Sequence, residues 1–120
     1  MDLLASLYEA LQPRRDEIAV TSIELNFDWN PDKAQQNLKK HRVSFERATT
    51  IFRDPAMVSV FDEEHSEDEE RWVTLGKSDQ GEILVVIHTF REVTVNSADV
   101  RIISARGATK RERQTYEGIG

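Results

Sequence analysis

Four β-rich segments follow one another in the second half of this chain, Met57 to Phe61, Trp72 to Leu75, Ile83 to Phe90 and Val100 to Ala105. No other feature restricts the fold as much, because strands that follow at such short intervals pair mostly antiparallel. The connections are an acidic loop, a turn through Asp79 to Gly81 and a longer polar hairpin through Asn96 to Asp99. Ahead of them Ile23, Leu25, Phe27 and Trp29 alternate with Glu24, Asn26 and Asp28, the period of a half-buried strand. Asn30 followed by Pro31 is an N-cap with proline at the first helical position, so a helix with Ala34 and Leu38 on its buried face is expected to end near His41. A second helix begins at Ser44, with Val43 and Ala48 as a hydrophobic staple and Ala48, Ile51 and Phe52 as its apolar stripe, and Asp54-Pro55 stops it. Thr109 with Glu112 three residues on reads as a capping box that opens a last helix from about Lys110. The expected fold class is α+β: a small, mostly antiparallel sheet with two helices after the first strand and a C-terminal helix.

The chain has 120 residues, enough for one domain with one core. Leu4, Leu7, Tyr8 and Leu11 fall at helical spacing before Pro13, so residues 1–22 read as an amphipathic helix and linker ahead of a domain over 23–120. The absence of cysteine excludes disulfides, thiolate metal sites and cysteine nucleophiles. Neither a secretory signal nor a membrane span is visible, and a cytoplasmic location is the default expectation. The formal charge of -6 misleads, because the run from Asp62 to Glu70 supplies seven of the 22 acidic residues and leaves 15 against 16 basic ones elsewhere. Positive charge gathers at the C-terminus, where RIISARGATKRERQTY carries Arg101 and Arg106 on a strand and Lys110, Arg111 and Arg113 in the first turns of a helix. Such a cluster suits a phosphate-bearing partner, although each cation taken alone reads rather as a solvated surface group.

No phosphate-cradling glycine loop, nucleophile elbow or pair of histidines at metal-ligand spacing is present. Metal and nucleotide enzymes are therefore disfavoured, and no cofactor is expected. A metal-free ribonuclease needs a base for the 2'-hydroxyl proton, cations for the phosphorane and an acid for the leaving 5'-oxygen. Arg71, Arg91, Arg101 and Arg106 lie at or within predicted strands and suit the second task, since the guanidinium fork matches two phosphate oxygens. Glu70 or one of the scattered histidines, His41, His65 and His88, is a candidate base, and spacing does not separate base from acid. The plainer readings are a strand-edge ion pair for Glu70 with Arg71, and structural roles for the histidines: a helix C-terminus for His41, a loop for His65, an apolar strand for His88.

The stretches FDWNPDKAQQNLKKHRVSFERATTIFRDP, DEEHSEDEERWVTLGKS, ILVVIHTFRE and RIISARGATKRERQTYE, in this order, resemble the BrnT family of type II toxins. The resemblance implies a RelE/ParE-like fold and a metal-free RNA-cleaving site on the sheet surface. It also implies a BrnA-like ribbon-helix-helix antitoxin that covers the site, assembles with it as two toxins and two antitoxins, and supplies any DNA binding. On this chain the motif positions are Lys33, His41, His65, Glu70, Arg71, Arg101, Arg106 and Tyr116. Catalysis is expected among His41, His65, Glu70, Arg71, Arg101 and Arg106, and RNA contacts from Lys33, Lys40, Arg91, Lys110 and Arg111. Tyr116 is expected to anchor the last helix. Two departures stand out: Gly107 replaces a basic residue carried by relatives, and Arg42 sits at a helix end where glycine is common. A catalytically decayed module that keeps only the partner interface is the alternative reading.

Overall fold

The computed structural model describes residues 23–118. Its elements run β1 (Glu24–Asp28), α1 (Pro31–His41), α2 (Phe45–Thr49) continued by a 3-10 turn (Thr50–Arg53), β2 (Val58–Phe61), β3 (Arg71–Lys77), β4 (Ile83–Thr89), β5 (Arg91–Thr94), β6 (Ser97–Gly107) and α3 (Lys110–Tyr116). The N-terminal helix predicted from Leu4 to Leu11 lies outside the described residues.

Six strands form one sheet in the order β1-β6-β4-β3-β2, with β5 prolonging the line of β4 along β6. Every pairing is antiparallel except β1 with β6, which is parallel because α1 and α2 intervene before the chain returns. The α+β expectation therefore holds, with one missing strand. Residues Asn96 to Asp99, expected as a polar hairpin, belong to the β5–β6 turn and to β6 itself, which starts at Ser97 rather than Val100. β5 escaped because all four of its residues, REVT, are exposed. Backbone pairing with β6 holds it, and such pairing leaves no apolar alternation in the sequence.

The capping chemistry is as read. Asn30 Oδ1 accepts from the N–H groups of Asp32 and Lys33, and Ser44 Oγ from that of Arg47. Thr109 and Glu112 form the reciprocal capping box. Arg42 closes α1 in the left-handed region at φ 61, the one described non-glycine residue with positive φ.

α1 and α2 cover one face of the sheet, and the core lies between. Val43, Phe45, Ala48, Ile51, Phe52, Leu84, Val86, Val100, Ile102 and Ala105 form one buried cluster, with Phe27 tilted against Phe52 at 5.4 Å. Each large side chain so buried is worth about 1.5–3 kcal/mol. Leu38, expected on the buried face of α1, is instead about half exposed, and its neighbour Asn37 takes the inward position. The reason is that β1 ends at Asp28, opposite Arg101, so β6 beyond that point has no strand on that side. Asn37 fills the gap: its amide donates to the carbonyls of Ala105 (2.8 Å) and Val43 (3.0 Å) and accepts from the Ala105 N–H (3.1 Å). At the opposite end Gly76 lets β3 approach the 3-10 turn, since a Cβ there would lie 2.8 Å from that of Ile51.

Candidate functional site

The face of the sheet away from α1 and α2 gathers the arginines. Pairing Leu84 with Gly107 and Val86 with Ala105, but His88 with Ile102, leaves one extra residue in β6 at the shift between Ile87 and His88. This β-bulge reverses the alternation of β6. Ala98, Val100 and Ile102 point into the core before it and Ala105 after it, so Arg101 and Arg106, five residues apart, come to share the outer face. An unbroken strand would have put them on opposite faces.

Three rows cross this face. In the first, Arg71 on β3 pairs with Thr89 on β4, and Thr89 Oγ1 accepts the Arg101 N–H at 3.1 Å. With strands about 4.8 Å apart, the backbones of Arg71 and Arg101 stand roughly 10 Å from each other with Thr89 between. The middle row is apolar, with Val73 beside Ile87, both half-buried. In the last, Leu75 and Val85 are buried and Arg106 follows on β6. Arg106 grips Glu112 of α3 with two bonds of 2.7 and 2.9 Å, which lays α3 over this end. The grip holds the Glu112 carboxyl down at about 2 and raises Arg106, in each case chiefly through the hydrogen bonds between them. As expected, Tyr116 anchors the helix, through its hydroxyl to Asp54. Burial first and this carboxylate second push the tyrosine up to about 12.

The carboxylates around the arginines were less legible. Glu69, not Glu70, pairs with Arg101, and among the described residues no ion pair joins Glu70 to Arg71. Arg91 is held by Asp99 at 2.7 Å. Arg71 is the one of the four outer-face arginines without a carboxylate in salt-bridge range among the described residues. The acidic loop before β3 is tied to this end of the face, because Ser66 Oγ accepts the Arg71 N–H at 3.0 Å. Its His65 bonds through Nδ1 to Asp62 Oδ2 at 2.9 Å. A carboxylate on Nδ1 favours the tautomer protonated there and leaves Nε2 as the ring's acceptor.

Not every predicted residue joins the group. Lys33, Lys40 and His41 lie on α1, in the layer on the opposite side of the sheet. Lys110 and Arg111 are exposed at the start of α3, beside the Arg106 end. His88 is fully buried on the core face, where desolvation, opposed by its bond to the Thr89 carbonyl, lowers it to about 4. Its Nδ1 bonds that carbonyl at 2.8 Å and its Nε2 meets Thr74 Oγ1 at 2.6 Å, in a chain that continues to Ser59 at 2.7 Å. Among the described residues no three metal-ligating side chains come together, and no helix is long and apolar enough to cross a membrane. Glu69 and Thr89 went unnoticed in the sequence, and Glu112 was read only as a capping residue, since the arginine that each one meets lies at least six residues away.

The fold is thus a small α+β domain with helices on one face of its sheet and arginines ranked on the other. Residues 29–112 match the family model described as the ribonuclease toxin BrnT of a type II toxin-antitoxin system, and the chain belongs to that family. A partner antitoxin comes with membership of such a system. Among solved structures, the 1.1 Å crystal structure of the Brucella abortus ribonuclease toxin BrnT is similar over 72% of this chain and 99% of that one, at 20% identity and a TM-score of 0.43. No curated protein matches the chain.

Proposed function

We propose that this chain is a metal-independent endoribonuclease that cleaves RNA on the outer face of its sheet and thereby inhibits translation in the cytoplasm. The observation that carries the reading is the row of Arg71, Thr89 and Arg101, two arginines on the strands that flank one threonine. Two forks so placed can hold the oxygens of a single phosphate and stabilise the charge that builds on the phosphorane. His65, oriented by Asp62, or Glu70 beside Arg71 removes the 2'-hydroxyl proton, and the other protonates the leaving 5'-oxygen. Lys110 and Arg111 extend the cationic track past Arg106. A BrnA-like ribbon-helix-helix antitoxin covers the face, in an assembly of two toxins and two antitoxins whose DNA binding belongs to the antitoxin. A RelE/ParE-like ancestry fits the order of elements.

The test is cleavage of an end-labelled RNA by the purified chain in EDTA, with Arg71→Ala and Arg101→Ala as controls. Scission that survives EDTA and is lost in both variants supports the reading, and scission that needs added metal removes the metal-free mechanism. One observation favours the decayed module instead: Arg91, Arg101 and Arg106 are each already engaged by a carboxylate. On that reading the folded chain leaves RNA intact, alone and on translating ribosomes, yet still binds its antitoxin.

A further inference from the structure

The geometry points to Thr89 as a phosphate-contacting residue, its hydroxyl donating to the oxygen that Arg71 and Arg101 hold between them. This rests on the reading of the outer face as an RNA site and adds to it a neutral donor. Thr89 lies on the outer face, because its register partner Arg71 does and because its predecessor His88 points into the core. Its Oγ1 already accepts the Arg101 N–H at 3.1 Å. With one lone pair used in that way, the hydroxyl still has its proton to donate, and among the described residues no side chain or backbone carbonyl receives it. The residue keeps 9% exposure.

The position is also held from below. The Thr89 carbonyl accepts from His88 Nδ1, which requires the proton on that nitrogen and makes Nε2 an acceptor for the Thr74 hydroxyl. Thr74 Oγ1 then accepts from Ser59, so the bonds run in one direction across β2, β3 and β4 and end on the peptide that carries the Thr89 side chain. The chain is buried, and His88 stays neutral within it at ordinary pH. A donor fixed in this way needs no reorganisation when an anion arrives.

The experiment measures binding of a fluorescent 2'-O-methyl RNA, which lacks the attacking hydroxyl, to the full chain across a salt series. Thr89→Val removes the hydroxyl and keeps the shape, while Thr89→Ser keeps the hydroxyl. The expected result is a three- to tenfold weaker complex for valine, wild-type affinity for serine, and a salt slope unchanged in both, since a hydroxyl displaces no counterion. Arg71→Ala, by contrast, should make the slope shallower by about 0.7. Wild-type affinity in the valine variant overturns the proposal. So does weakening with a shallower slope, which would mean that Thr89 acts only by placing Arg101. Failure of the wild-type chain to bind the RNA at all overturns the RNA-site reading itself, a separate outcome from either. Melting curves of both variants establish that each is folded.

Discussion

Arg42 and Asn37 show how differently two residues of one helix end can be read. Arg42 follows α1 where an αL residue must close the helix, and it adopts that conformation with its N–H on the Leu38 carbonyl at 2.9 Å. The strain of a side chain there is about 1 kcal/mol, so Arg42→Gly is expected to stabilise the domain by up to that amount in urea unfolding. Asn37 left no comparable trace, because helical periodicity assigns the inward place to Leu38. It is buried because its amide, with donor and acceptor side by side, matches the open backbone of β6, which no apolar side chain could satisfy. Asn37→Ala leaves the Ala105 N–H and two carbonyls without partners and should cost about 2–4 kcal/mol in the same assay.

At the scale of elements, the acidic loop and the 3-10 turn decide how the two faces of the sheet are used. The loop between β2 and β3 places Glu69 on Arg101, so on the proposed reading RNA must displace a carboxylate before it reaches that guanidinium. Exposed pairs of this kind are worth about 0.2–1 kcal/mol, and Glu69→Gln should therefore tighten RNA binding by up to about fivefold at low salt, with the gain fading as salt rises. An unchanged affinity would mean that the pair opens at no cost. On the opposite face Gly76 admits the 3-10 turn, and Gly76→Ala must push Ile51 out of the core, since both clashing atoms are Cβ atoms on fixed backbones. The expected loss is about 1–3 kcal/mol, read by thermal or urea melts. Helix starts and stops were legible because caps are local chemistry. β5 was not, because its stability comes from the neighbouring strand.

For the whole molecule, the attachment of α3 depends on pH. Glu112 would ionise at 4.5 in an unfolded chain and is held at about 2 in the folded one, chiefly by Arg106. A depressed carboxyl means that the unfolded state binds the proton more tightly, so its stabilisation is complete above about pH 4.5 and is lost as the pH falls to about 2. Melting temperatures of wild type and Glu112→Gln should thus differ at neutral pH and converge as the pH drops through that window. Most of the order of elements, the caps, the anchoring Tyr116 and the arginine-rich character of the strands were determined by the sequence, since each rests on residue type and near-neighbour spacing. Tertiary structure alone decided which of those arginines share a face. One bulge in β6 changes the parity of the strand and puts Arg101 and Arg106 on the same face, while pairing across β3, β4 and β6 aligns Arg71, Thr89 and Arg101. Strand register and the placement of a single extra residue depend on contacts between segments far apart in the chain, and no local pattern records them.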